Sequence, residues 1–426
     1  MNTRRGISPK EKISLGLLCL YSFVVCFGNM FRFGDAETAQ GLSTYIVLAL
    51  IALAPSACLK GIARERFLQI TIALVLVSLL SAFFYPAGPK SPLFGSLALF
   101  IYVMLAASFA GSRIRPVWIY WLVISMAMGM LVASVATIVD HVKIIDLPHV
   151  NEVQIVSHLG KVEAEQVSGF FARRSALAAF YSLYIPVVII AALEMPQKKL
   201  RILLLVSAAL AFLCLFLTHN RSGILSIGII LLFYLVFQKN ISASARAKIF
   251  LMLMLLGLTF LGAITIYFPD HLEVYIEKLA GYLGDDKNID KEVAHSDSSR
   301  VYFFVQALRS MSESLIGHGF STMYTDRYAY TDPHNIFSHI IWASGIFGVA
   351  WIIYSSVLFK KNVFFSIAGR EYRPYITAIK WGVMSWLLNN MTHNSLNMGM
   401  IWISVGLQLG LRRGALYSYK FEGKSK

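Results

Sequence analysis

Charge is what this sequence has least of. Only 14% of its 426 residues are Asp, Glu, Lys or Arg, against about 25% in a soluble globular chain. Much of the surface must therefore face something other than water, in keeping with a 57% hydrophobic content and a mean hydropathy of +0.63. Cysteine is scarce as well. Cys19, Cys26, Cys58 and Cys214 each lie in an apolar run, where cysteine behaves as a small hydrophobe, which argues against disulfides and against a zinc site. No other set of His, Cys and carboxylates has metal-ligand spacing either. No Gly-rich phosphate loop is present, which argues against a nucleotide-driven pump. The first apolar run is long and is followed by more of its kind, so it reads as a span and not as a cleavable leader. Acidic residues are fewer than basic ones, 23 against 38. In a soluble protein that balance would suggest nucleic acid, but in a membrane chain the positive-inside rule accounts for it and no nucleic-acid partner is expected.

What is abundant is long apolar runs. A helix needs roughly 20 apolar residues to cross a hydrocarbon core ~30 Å thick. Such runs lie near 13–31, 44–59, 67–84, 93–111, 117–139 and 175–194. Six more lie near 202–218, 222–238, 249–268, 335–359, 376–391 and 397–411. With the N-terminus in the cytoplasm, the inside segments hold 24 of the 38 Lys and Arg residues, and every short inside loop has at least two. The expectation is an all-α polytopic membrane protein of about twelve transmembrane helices with both termini cytoplasmic. Residues 1–426 form a single membrane-embedded domain, without repeats or a separate soluble part.

Two outside segments are long, 140–174 and 269–332, and the second carries 11 acidic against 6 basic residues. Long loops are often functional. In the second, Val301, Phe304, Val305, Leu308 and Leu315 fall on helical spacing, with Ser298 or Ser299 as N-cap. They predict an amphipathic helix at the outer membrane surface.

Chemistry-bearing residues gather on that same face. Arg221, in Thr218-His219-Asn220-Arg221-Ser222-Gly223, lies between two spans joined by almost nothing. An Arg at membrane depth is costly unless an anion or dipole compensates. It is a snorkelling or carboxylate-paired residue, or it is a fixed anion site, since guanidinium matches phosphate bidentately. Arg300 falls in the first turn of the predicted loop helix, where free N–H groups and the dipole would join it in an anion cradle; an Arg in that position can equally be solvated. In Thr331-Asp332-Pro333-His334-Asn335, Asp332 reads as N-cap and Pro333 as N1. His334 then sits in the first turn of a membrane helix, where a neutral imidazole is favoured and can accept a proton, unless it only bonds a loop carbonyl. His339 reads as a packed polar residue. Arg173 and Arg174, before the sixth span, serve an anionic site or hold lipid headgroups. His393, in the turn after Asn389-Asn390, is a further candidate.

Taken together these residues resemble a known family. His334-Asn335, nine residues, then Gly345-Ile346-Phe347-Gly348 is similar to the H-N-x9-G-x-x-G pattern of the bacterial O-antigen ligases (WaaL). Ser314-Leu315-Ile316-Gly317-His318-Gly319-Phe320 resembles the P-L-x-G-x-G-x segment that precedes this His in the O-antigen ligase and polymerase superfamily, with Ser for the usual Pro. Arg221 and Arg300 stand where the family has its arginines. The resemblance is clearest over 200–350. It implies a large periplasmic loop at 269–334 and a donor glycan on undecaprenyl pyrophosphate. It also implies a lipid A–core acceptor and a glycosyl transfer needing neither metal nor other cofactor, at the periplasmic face of the bacterial inner membrane. His334, Arg300 and Arg221 would be catalytic, with Arg173, Arg174, Asn335, Gly317, Gly319 and His393 binding substrate. A polymerase using the same donor, a protein O-oligosaccharyltransferase and a lipid-linked glycan transporter are the alternatives. A transporter places its ionisable residues near the midplane, whereas here they crowd the rim.

Overall fold

Each apolar run of the sequence is mainly helical over its described residues in the computed structural model. The structure describes residues 9–27, 32–33, 40–84, 92–112, 114–145, 151–156, 163–171, 174–194, 197–237, 243–270, 272–273, 276, 302–320, 335–364, 373–391 and 399–422. The helices are α1 (Pro9–Val24), α2 (Leu42–Leu53), α3 (Pro55–Arg64), α4 (Arg66–Phe84), α5 (Pro92–Gly111), α6 (Pro116–His141) and α7 (Arg174–Glu194). After them come α8 (Lys198–Leu217), α9 (Arg221–Phe237), α10 (Ala243–Tyr267), α11 (302–309), α12 (Ile336–Phe364), α13 (Arg373–Asn390) and α14 (Gly399–Glu422). Among the described residues, six helices are long and apolar enough to cross a membrane, or seven if the bent pair α2–α3 is one span. The chain is a mainly helical, polytopic membrane protein.

α7 is the hub. More than four-fifths of its most apolar window is buried, and it packs on α13, α8 and α9. A helix apolar all round belongs inside such a bundle. Its closest contact is with α13, where a side chain at Gly382 would press on the Leu183 carbonyl and Val187.

Two departures from the sequence expectation matter. The run at 44–59 is not one straight helix, for α2 and α3 are bent by 82° at Ala54, just before Pro55. Pro55 lacks an N–H and so favours a helix start there. α3 then lies against α5 through small residues: a side chain at Gly61 would overlap the Ala107 carbonyl, and one at Gly111 that of Ala57. Small residues let backbones approach closely where lipid provides no hydrophobic drive.

The second departure is in the 140–174 loop, which contains an antiparallel hairpin, β3 (Asn151–Val156) with β4 (Glu163–Gly169) and a bulge at Asn151/Glu152. A two-residue pair, β1 (Arg32–Phe33) with β2 (Gln40–Gly41), is the other sheet among the described residues. β4 is anchored by Val167, fully buried with Phe216, Leu217 and Ile264. This puts the hairpin over the end of the bundle where α8 stops and α9 starts, called here the site end.

Candidate functional site

The tight turn between α8 and α9 explains how Arg221 is presented. Thr218 ends α8, its N–H reaching the Cys214 carbonyl at 3.1 Å. His219 takes a left-handed conformation, φ 53°, a position helix ends usually give to Gly or Asn. Asn220 then caps α9: its Oδ1 accepts from the Gly223 N–H at 2.9 Å, the usual N-cap bond to the third residue. Arg221 is therefore the first residue of α9, and its side chain is exposed. The residue stands at the positive end of the helix dipole, where an anion is favoured.

A second helix braces that turn. The Ser222 hydroxyl lies 2.9 Å from Asn220 Oδ1 and 2.9 Å from Asn389 Oδ1. One hydroxyl has one proton, so it donates to one amide and accepts from the NH2 of the other. Asn389 and Asn390 are fully buried at the end of α13. Asn390 donates to the Trp386 carbonyl at 2.8 Å. Sequence reasoning left these two asparagines outside the site; two adjacent amides closing an apolar span were the available signal.

The segment 314–320 forms the other half of the site end. α12 is broken at Gly345, φ 56° and ψ −132°, and the loop docks into the break. His318 N–H donates to the Trp342 carbonyl at 2.9 Å, Gly319 N–H to Ala343 at 3.0 Å, and Ile346 N–H to Leu315 at 3.0 Å. Gly317 and Gly319 both have positive φ, 80° and 77°. A side chain at Gly317 would lie 2.5 Å from Ser344 N, and one at Gly345 would overlap the Leu315 carbonyl oxygen. These glycines interlock two backbones, a role that needs no substrate. Ser81 Oγ donates to the Ile316 carbonyl and ties the loop to α4. The His318 ring stacks on Trp342 at 4.2 Å, and burial lowers its pKa below the usual histidine value, with Glu313 pulling weakly the other way. His339 is buried against the edge of Phe320 at 5.1 Å, the packed role expected of it.

One expectation needs correcting. α12 begins at Ile336, and its cap is Asn335, whose Oδ1 accepts from the Ser338 N–H at 2.6 Å. The cap is thus found at an asparagine three residues beyond the expected Asp332, where it satisfies the orphan amide; Asp332 and His334 themselves lie outside the described residues. α11 packs on α12 by the face beside the expected apolar stripe. Phe303 and Ala307 are buried against Ile341 and Trp342, while Phe304, Val305, Leu308 and Leu315 are exposed. The buried face is one residue out of phase with the apolar stripe read from the sequence, since α12 supplies its partner there.

Of the candidate residues, Arg221, Asn335, Gly317 and Gly319 lie at the site end. Arg174 is the first residue of α7. Arg173, Arg300, His334 and His393 lie outside the described residues, as do Ser298 and Ser299.

The stretch holding α9, the docked loop and the broken half of α12 has a known counterpart. Residues 206–353 match the family model described as O-antigen ligase. Over that stretch, about a third of the chain, the protein is similar to the O-antigen ligase family. The match runs from inside α8 past Gly345 and Gly348, and so contains the Arg221 turn, the 314–320 loop and the break in α12 that the loop docks into. The likeness does not separate ligase from polymerase. No curated protein matches the chain.

Proposed function

We propose that this protein is an O-antigen ligase. It takes a glycan from undecaprenyl pyrophosphate and joins it to a sugar hydroxyl of lipid A–core, completing lipopolysaccharide. The observation that carries the reading is Arg221, held exposed at the first position of α9 by an asparagine cap and braced by α13, inside the segment that matches the O-antigen ligase family. A departing diphosphate gains negative charge, and a guanidinium at a helix N-terminus stabilises that charge. In this reading Arg300 completes the clamp and His334 takes the acceptor proton. Arg173, Arg174 and His393 contact substrate, and no metal is needed. Asn335 sets where α12 starts and so fixes the backbone next to His334. The chain crosses the inner membrane twelve times with both ends cytoplasmic, and the site end faces the periplasm with the loop 269–334.

A deletion strain tests ligase against polymerase. Loss of a ligase leaves bare core with polymer on the lipid carrier, whereas loss of a polymerase leaves core bearing one repeat unit. In the purified protein, Arg221→Ala should slow transfer about 10²-fold or more, the cost of removing one preorganised charge-stabilising donor. Transfer at wild-type rate by Arg221→Ala would remove the clamp from the mechanism.

A further inference from the structure

α12 folds back on itself at Gly345. A side chain at Gly348 would lie 2.5 Å from the Ile340 carbonyl oxygen, whereas eight residues of continuous helix would hold the two about 12 Å apart. The helix is therefore two limbs side by side, Ile336–Ser344 and Ile346–Phe364, and both border one apolar cavity of about 400 Å³. Ile336 and Ile340 line it from the first limb and Ile352 from the second. Leu387 of α13 and Val405 of α14 face them from across.

The first limb is anchored at its C-terminal end. There the Trp342 and Ala343 carbonyls accept from the His318 and Gly319 N–H groups, and Ile341 and Trp342 pack on Phe303 and Ala307 of α11. The N-terminal end, from Ile336 to Ile340, borders the cavity. Protein interiors hold few voids larger than a water molecule, and atoms that line one forfeit attraction on that side. Bringing the walls together recovers that attraction. The limb is nine residues, about 14 Å, so a small pivot at Gly345 carries its free end by several ångström.

The cavity also separates the two halves of the site end. Leu387 is two residues from Asn389, which bonds Ser222 beside Arg221. Ile336, on the opposite wall, directly follows His334 and the Asn335 cap in the chain.

We propose that the first limb of α12 is a lever, pivoting at its docked Gly345 end, whose Asn335 end swings into the cavity towards α13 when a diphosphate occupies Arg221. The proposal rests on the donor being a lipid diphosphate held by Arg221, and it adds how the acceptor half closes on it. A ligand shifts such an equilibrium only through contacts made in one of the two states. The diphosphate makes one on closure, because the positive N-terminal end of the limb then approaches it. Closure with the donor in place also keeps water from the sugar until the acceptor hydroxyl arrives.

The test uses the full chain in nanodiscs, 5-fluorotryptophan in place of tryptophan, and undecaprenyl pyrophosphate without glycan as the ligand. Trp386 and Trp402 line the cavity, whereas Trp121 is exposed on α6. The ligand should shift the fluorine resonances of Trp386 and Trp402, assigned by Trp→Phe variants, and leave that of Trp121 in place. Val405→Phe and, separately, Ser356→Leu fill the cavity from walls other than the moving limb. Each should keep or raise Tm, since it fills a void. Each should also suppress the shift and cut kcat for glycan transfer about tenfold or more, with KM for the donor unchanged. Wild-type kcat in both filled variants would overturn the lever and leave the cavity a packing void or a place for bulk lipid. Ligand binding to the wild-type protein with no shift at Trp386 or Trp402 would overturn the lever while the ligase reading stands. Absence of any binding would overturn both.

Discussion

Gly345→Ala isolates the interlock between loop and helix. An alanine Cβ there would overlap the Leu315 carbonyl oxygen, with the carbonyl carbon at 2.6 Å and Gly317 N at 2.9 Å. The backbone, at φ 56° and ψ −132°, is also one that a side chain resists. Strain of about 1–3 kcal/mol adds to overpacking of about 1–3 kcal/mol, so keeping the loop docked would cost about 2–6 kcal/mol. Releasing the loop instead gives up the three backbone hydrogen bonds of His318, Gly319 and Ile346, about 1 kcal/mol each. Release is the cheaper route over most of that range. The variant should therefore stay folded as a bundle while the amides of His318, Gly319 and Ile346 exchange about 10²-fold faster, at 1.4 kcal/mol per factor of ten. Gly228→Ala is the control, because nothing lies within 4 Å of its added carbon. Removing a mid-helix glycine should stabilise α9 by up to about 1 kcal/mol. Unchanged exchange at all three amides in Gly345→Ala would refute the interlock.

Asn220→Ala removes the cap of α9 and one partner of Ser222; the bundle should lose about 1–2 kcal/mol by denaturant titration, and glycan transfer should fall because Arg221 is no longer held. A double-mutant cycle of Ser222→Ala with Asn389→Ala should give a coupling of about 0.5–1.5 kcal/mol, whereas strict additivity would show that the contact carries nothing. The docked loop should also respond to pH. The His318 pKa is lowered by burial, so the released state binds the proton first, and docking is at full strength above about 6.5. It weakens as pH falls below that value and through the lower docked one. Protease sensitivity of the loop should rise on acidification, and His318→Phe, which keeps a ring over Trp342, should remove the pH dependence.

The helices were legible because each apolar run carries its own signal. α9, for instance, was expected at 222–238 and is found at Arg221–Phe237. Choices between near-equal local signals were not. Asp332 and Asn335 are both good caps, and only the bond from Ser338 decides for Asn335. Phe304 and Leu308 make as good a stripe as Phe303 and Ala307, until Ile341 and Trp342 supply a surface for the latter. The β3–β4 hairpin is weak in sequence, with Val153 and Ile155 alternating among polar residues, and its anchor Val167 reaches α8 and α10 residues far along the chain. The spacing of Gly317, Gly319 and Gly345 was visible as a motif, but its reason lies in a contact across some thirty residues. The Ser222–Asn389 contact spans 167, and no local pattern could have shown it.

The Leu315–Ile346 bond has a consequence for how the protein is made. The acceptor is in a loop synthesised before α12, so it has already left the ribosome when the donor emerges. α12 therefore enters the bilayer beside a loop that is waiting for it. Its two halves, Ile336–Ser344 and Ile346–Phe364, can be inserted as separate short segments, with the break set by the loop as a template. Truncating the chain before Ile346 would leave that loop with nothing to close on, so docking waits for the second half of α12 and does not need α13 or α14.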